Sequence, residues 1–445
     1  MTTRTDPGVA SAVRSAGIGP HYAWVVAAVT LLVLVVAAGI RSIPGVLMLP
    51  FEREFGWDRA TISTAVSANL VLYGLIGPFA AAIADRTGLR RIITASLSMA
   101  VIALLLAPFI WEPWHLVLLW GGGVGTASGM ITGWLGAVVA TRWFVARRGL
   151  VTGVFAANFA AGQLIFLPIL AWLAEFAGWR ASVAFGAFGA AIIIPLVLAF
   201  MRDRPEDVGT VAYGATAADT APRAATTGNP FAGAINTLVD VSRSRDFWIL
   251  AATFFVCGAS TNGLVATHLI PASHDHGIAE ITAASMLAFI GLFDLIGTTG
   301  SGWLTDRFDA RRLLAWYYGL RGLSLIMLPL AYEAGVWGLG AFIVFYGLDW
   351  VATVPPTIRL TADHFGRQRV GTVFAWVFAA HQLGAAAIAW IAGALRVSFG
   401  DYQSAFWLSG ALCLAAALLS LAIRRAPGVP VPARPAPAPL RPVPA

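Results

Sequence analysis

Apolar residues run along this chain in stretches of about 20 or more, broken by short polar segments. That length spans a bilayer as α-helix, whereas a membrane β-barrel would alternate polar and apolar positions. Twelve such stretches can be read, at residues 22–48, 60–84, 90–110, 114–141, 147–175, 180–201, 246–271, 279–304, 312–332, 337–361, 367–396 and 402–424. The pattern predicts an all-α membrane protein with twelve transmembrane helices. Residues 1–20 form a polar leader without the apolar centre or cleavage site of a signal peptide. Residues 202–245 read as a long linker between a six-helix unit at 21–201 and another at 246–425. The Pro/Ala/Val-rich stretch 426–445 reads as a disordered tail.

Composition agrees. Of 445 residues 58% are hydrophobic and only 11% charged, against about 25% charged in soluble domains. All basic residues are arginine, which removes Schiff-base and P-loop lysine chemistry. The net charge of +7 does not point to nucleic acid, because the arginines cluster in alternate loops: 23 fall on one side of the membrane and four on the other. By the positive-inside pattern both termini are cytoplasmic, in a multi-pass protein of the cytoplasmic (inner) membrane. Cys257 and Cys413 lie in apolar runs, so neither a disulfide framework nor a cysteine metal site is expected.

One charged pattern occurs twice, 221 residues apart: Ala81-Ala-Ile-Ala-Asp-Arg-Thr-Gly-Leu-Arg-Arg91 and Gly302-Trp-Leu-Thr-Asp-Arg-Phe-Asp-Ala-Arg-Arg312. At the same offset Phe144 and Arg148 match Phe365 and Arg369, and Ala184-Phe185 matches Ala405-Phe406. This is an internal duplication. Six spans return the chain to its starting side, so the repeats run parallel, which is the plan of one large transporter class that places its solute site between the halves near the midplane.

The two charged stretches resemble the G-x-L-A-D-R-x-G-R-R signature of the major facilitator superfamily, with Ala81 in place of the leading glycine and Asp309 in place of the later one. Arg142-Trp-Phe-x-x-Arg-Arg-Gly149 and Gly178-Trp-Arg180 resemble the same superfamily. Ala23-Trp-Val-Val26, Arg41-Ser-Ile-Pro-Gly-Val46, Phe51 to Trp57 and Gly291-Leu-Phe-Asp294 resemble the branch of monocarboxylate transporters and oxalate/formate antiporters. The resemblance implies the major facilitator fold and an alternating-access transporter. It also implies roles for Arg41 and Asp294 in carboxylate and proton handling. The branch's arginine four residues beyond that acid is Thr298 here.

Asp85, Arg86, Arg90 and Arg91, with Asp306, Arg307, Arg311 and Arg312, set topology by charge. They could also form a cytoplasmic latch of ion pairs made in one state and lost in another. Asp294, Arg321 and Asp349 lie near the middle of spans, where a lone charge costs at least roughly 2.5–3.5 kcal/mol. Equal depth predicts an Asp294–Arg321 pair, with Asp349 as competing partner. It is either a static tie between helices or a proton-coupling site. Arg41 lies near the outer boundary, where it either snorkels to the interface or faces the cavity and binds an anion. Pro44 and Gly45 are expected to break or kink that helix.

Asn69, Tyr73, Asn158, Gln163, Asn262, His268, His381 and Gln382 are the uncharged candidates for substrate binding. Otherwise they are interhelical hydrogen bonds. The His274-Asp275-His276 cluster reads as a solvated loop rather than a metal site. Gly121-Gly-Gly-x-Gly125 sits inside a span, where small residues permit close packing. No nucleophile–base arrangement stands out, so no enzyme and no cofactor are expected. The leading expectation is proton-coupled transport, by symport, of a small organic anion, a carboxylate, by a monomer in the lipid bilayer. Proton-coupled export of hydrophobic or cationic compounds is the alternative, and a non-transporting scaffold or sensor a third reading.

Overall fold

The computed structural model describes residues 21–131, 133–215, 229–366 and 369–425. The expected leader and tail lie outside them. Twelve helices are long and apolar enough to cross a membrane: Tyr22–Phe55, Arg59–Ala80, Leu89–Phe109, Pro113–Trp143, Leu150–Phe176, Trp179–Phe200, Arg245–Asp275, Glu280–Thr305, Ala310–Glu333, Gly335–Phe365, Val370–Phe399 and Gln403–Leu421. They are spans one to twelve.

The duplication is visible in the backbone. Adding 221 to the bounds of span one gives 243–276, against the observed Arg245–Asp275, and the other five pairs agree within a few residues. Gly56 and Gly277, at equivalent positions, end spans one and seven with φ of 69° and 78°. A side chain is strained in that region, so glycine stops both helices.

The two copies of the charged motif differ for a physical reason. Asp309 caps span nine itself, its Oδ1 accepting from the Arg311 backbone N–H at 3.0 Å. Its equivalent, Gly88, has no side chain. There Asp203 caps span three instead, accepting from Arg90 N at 3.0 Å, in space that a Cβ on Gly88 would occupy. One repeat carries its cap in the motif and the other borrows it from the linker.

One expectation is corrected and two are refined. Span one runs through Pro44 and Pro50 as one continuous helix. The absent side chain at Gly45 instead lets span seven approach, since a Cβ there would sit 2.8 Å from the Ala266 carbonyl oxygen. The linker is not all irregular: Pro230–Val241 is a helix, N-capped by Asn229. It docks through Trp376 Nε1 to the Ala234 carbonyl at 3.0 Å and a Phe79–Phe231 stack. Span ten is the third: its helix stops at Asp349 and resumes at Val354, with Pro355 and Pro356 in the new first turn. The run Gly121 to Gly125 packs closely as expected, against Ala68 and Asn69 of span two.

Candidate functional site

A small cavity lies between the two sets of six spans. Spans one, two and five supply Arg41, Asn69, Phe159 and Gln163 to its wall, and span seven supplies Asn262 and Thr267. Val66, Leu70, Leu167 and Leu287 make the wall mainly apolar.

Arg41 therefore faces the cavity rather than snorkelling. Its guanidinium carbon stands 4.2 Å from the Tyr73 ring centroid and 5.3 Å from that of Phe159, and Nη1 donates to Tyr73 Oη at 3.1 Å. Two aromatic faces hold the cation by attraction to their π-electrons. Among the described residues no carboxylate pairs with it. Asn262 is its equivalent in the second repeat, so one position of the duplicated span serves the cavity twice.

Arg321 is the opposite case. It is 1% exposed and does not line the cavity. The expected Asp294–Arg321 pair is not formed: Arg321 Nε meets Asp349 Oδ2 at 2.7 Å. The reason is the break in span ten. It frees backbone groups at membrane depth, where each must find a partner. Arg321 Nη2 donates to the carbonyl oxygens of Asp349 and Trp350, and Nη1 to Cys257 Sγ at 3.1 Å. Asp294 serves the other strand of the break, accepting from Val351 N at 2.9 Å and from Thr298 Oγ1 at 2.7 Å. Thr298 thus orients the acid. The three charges stitch a discontinuous helix, and Asp349 Oδ1 remains buried without a hydrogen-bond partner.

The uncharged candidates divide. Gln163 and Asn262 line the cavity, and so does Asn69, whose Nδ2 is committed to the Trp120 carbonyl at 2.8 Å. Asn158 turns back onto Phe155 O at 2.6 Å and is a local helix contact. His268 is away from the cavity, fully buried between Tyr402 Oη (3.1 Å) and the Ala389 carbonyl (2.8 Å). His381 lies against the rings of Phe254 and Phe378, with Nδ1 unpartnered. Both polar atoms of the Gln382 amide are buried and without partners. Phe159, Ser42 and Thr267 line the cavity and had no polarity or spacing signal strong enough to single them out.

At the end carrying the charged motifs, the side chain of Asp85 lies outside the described residues. Asp306, Arg86, Arg91 and Arg312 are exposed, and among the described residues Asp306 makes no ion pair. Arg307 donates to Trp303 O and lies over that ring, while Arg311 pairs with Asp309 at 2.6 Å. That bond holds the Asp309 carboxyl below its usual range. At the opposite end the His274-Asp275-His276 segment is not simply solvated. Asp275 binds Arg59 through two 2.7 Å contacts, and His276 stacks on Tyr332 at 4.0 Å.

The comparisons agree with this architecture. The chain is 27% identical over 418 residues to the uncharacterized MFS-type transporter YcxA of Bacillus subtilis (strain 168), covering 92% of this chain and 96% of that one. It is 26% identical to monocarboxylate transporter 13 of Rattus norvegicus, covering 85% and 83%. With the gallate transporter of Pseudomonas putida it shares 24%, covering 92% and 95%. A bacterial homolog of the human lysosomal transporter Spinster, crystallised inward-facing and unoccupied, superposes with a TM-score of 0.71 at 15% identity. That match covers 93% of this chain and all of that one. The family model described as Major Facilitator Superfamily matches residues 30–356 and 250–445. With twelve spans, a cavity between two sets of six and matches over nearly its whole length, the chain belongs to the major facilitator superfamily and is a multi-pass membrane transporter resembling the monocarboxylate transporter branch, not an enzyme.

Proposed function

We propose that this protein is a secondary active transporter that moves a small organic anion, a carboxylate, together with protons. Residues 21–201 and 246–425 are its two rocking halves, joined by the 202–245 linker. It works by alternating access as a monomer in the cytoplasmic membrane, with both termini and the charged-motif loops on the cytoplasmic side. The observation that carries this reading is Arg41: a cation lining the cavity, held by two aromatic rings and left without a carboxylate. A guanidinium so placed offers a planar fork to an anionic group. Export of cations fits poorly with that charge.

Asp294 is the proposed proton-coupling site. It lies two turns along span eight from Leu287, which lines the cavity, and its oxygen holds the broken end of span ten. Protonation weakens that acceptor and loosens the joint, so the proton and the helix break are coupled. Arg321 and Asp349 keep the other half of the joint in place. The relatives named for monocarboxylates and gallate support a carboxylate cargo.

The test is a thermal-shift screen of the purified protein against aliphatic and aromatic monocarboxylates at two pH values. A bound solute raises the apparent stability by mass action. Stabilisation by carboxylates, lost in Arg41→Gln, is the expected result. Stabilisation by organic cations but by no carboxylate would overturn it.

A further inference from the structure

At the end of the molecule opposite the charged motifs, the two halves are joined by ion pairs that the transport reading does not use. Arg59 of span two is 4% exposed and grips Asp275 of span seven through both nitrogens of its fork, each at 2.7 Å. Arg396 of span eleven meets the same carboxylate at 2.7 Å, and Glu52 meets Arg59 at 3.1 Å. Beside them Arg53 bonds Glu280 at 2.8 Å and His274 at 3.0 Å. Across the joint the first half presents Arg53 and Arg59 and the second presents Asp275 and Glu280, while Glu52 and Arg396 each bond within their own half.

The duplication explains how this arose. Arg53 and His274, which touch, are 221 residues apart, so they occupy the same position of the repeat. By the same offset Glu54 corresponds to Asp275, and Arg59 to Glu280. A repeat with identical charges at these sites would repel itself across the pseudo-axis. Divergence to Arg59 on one side and Glu280 on the other turns repulsion into attraction. Glu54 is spent inside its own half, on Trp179 Nε1 (2.6 Å) and Arg180 (2.7 Å). The equivalents of those two residues are Gly400 and Asp401, so Asp275 keeps only Arg396 in its own half and also reaches across to Arg59.

We propose that this network is a charge-complementary clamp that closes the cavity at this end and must be broken for the cavity to open there. The Arg59–Asp275 pair stands above the cavity: Val66, two turns from Arg59 on span two, is part of the cavity wall. The bidentate geometry and the burial of Arg59 make it the strong member, because fork-to-carboxylate contacts away from water are screened least. Arg53–Glu280, with the Arg53 side chain 58% accessible, is the weaker outer tie. The inference rests on the alternating-access reading, and its test separates the two.

A cysteine at Val66 reports access to the cavity, since native Cys257 and Cys413 are buried. The measurement is its labelling rate by a membrane-impermeant maleimide, in vesicles that present the clamp end to the reagent. Asp275→Asn is expected to raise that rate about tenfold, and Glu280→Arg to raise it several-fold. Adding Arg53→Glu to Glu280→Arg is expected to restore the low rate. Labelling unchanged in Glu280→Arg and Asp275→Asn, in protein that remains monodisperse, would overturn the clamp. If Asp275→Asn does not fold, the Glu280→Arg and swap pair decides alone. A second cysteine at Phe79, which packs on Phe231 and Trp376 at the other end, reports alternation itself when labelled in vesicles of the opposite orientation. A rise at Val66 with a matching fall at Phe79 supports both; a rise without that fall keeps the clamp and overturns alternating access.

Discussion

Arg41 and Arg321 are the two guanidiniums placed deep inside the membrane spans, and their surroundings are opposite. Arg321 is enclosed, with a carboxylate, two backbone carbonyls and a thiol sulfur around its fork. Arg41 has two aromatic rings, Tyr73 and Phe159, with the Tyr73 hydroxyl accepting from it, and otherwise opens on the cavity. The first arrangement completes itself and holds a helix break together. The second, among the described residues, leaves donors without a carboxylate beside the cavity, which is the basis of the proposed anion site. Burying a charge is tolerated only when it is paired, so an unpaired one beside a cavity marks a place for a partner.

The difference can be tested by removing each charge or its partner. Asp349→Ala strands a fully buried arginine and should cost about 3–5 kcal/mol of stability, read as a large fall in Tm of the purified protein. An unchanged Tm would mean that Arg321 does not depend on that carboxylate. Arg41→Gln should leave Tm nearly unchanged while weakening carboxylate binding by at least about 30-fold, on the order of 2 kcal/mol or more. A stability loss as large as that of Asp349→Ala would erase the distinction between the two sites. Asp294→Asn should abolish proton uptake driven by substrate in proteoliposomes while substrate counterflow persists; proton uptake at the wild-type rate would remove Asp294 from coupling. Tyr73→Phe deletes a single hydrogen bond to Arg41 and should weaken binding about fivefold, near 1 kcal/mol.

The smallest effect concerns the self-capped motif. Asp309 has its pKa lowered in the folded protein, mainly by its bond to Arg311. Its contribution is present above the unfolded value of 3.8 and is lost as pH falls through the folded one. Asp309→Asn should therefore lower Tm slightly at pH 7, with the gap closing as the pH is taken well below 4. A gap that persists in acid would show that the carboxylate's charge is not what matters there.

Much of this molecule was legible in one dimension. The length of the apolar runs gave twelve spans, and the 221-residue offset gave the duplication, now visible in helix bounds and in the Gly56 and Gly277 stops. Arg41, Asp294, Arg321 and Asp349 stood out because charge inside a span is costly whatever surrounds it. What could not be read was which charge meets which. Equal depth favoured Asp294 for Arg321, yet depth fixes only one coordinate. The azimuth of each helix and the break at Trp350 decided for Asp349. Pro355-Pro356 was the available signal for that break.

His268 and the loop acid Asp275 carry the same lesson. A histidine in a span and an acid in a loop are equally compatible with function and with solvent. The partners, Tyr402 with the Ala389 carbonyl for the one and Arg59 with Arg396 for the other, come from distant segments. Sequence alone determined the membrane class, the span count and the repeat, because these follow from the cost of exposing backbone and charge to lipid. Only the tertiary structure decided which charges are paired and which face the cavity, because pairing depends on helices brought together across hundreds of residues.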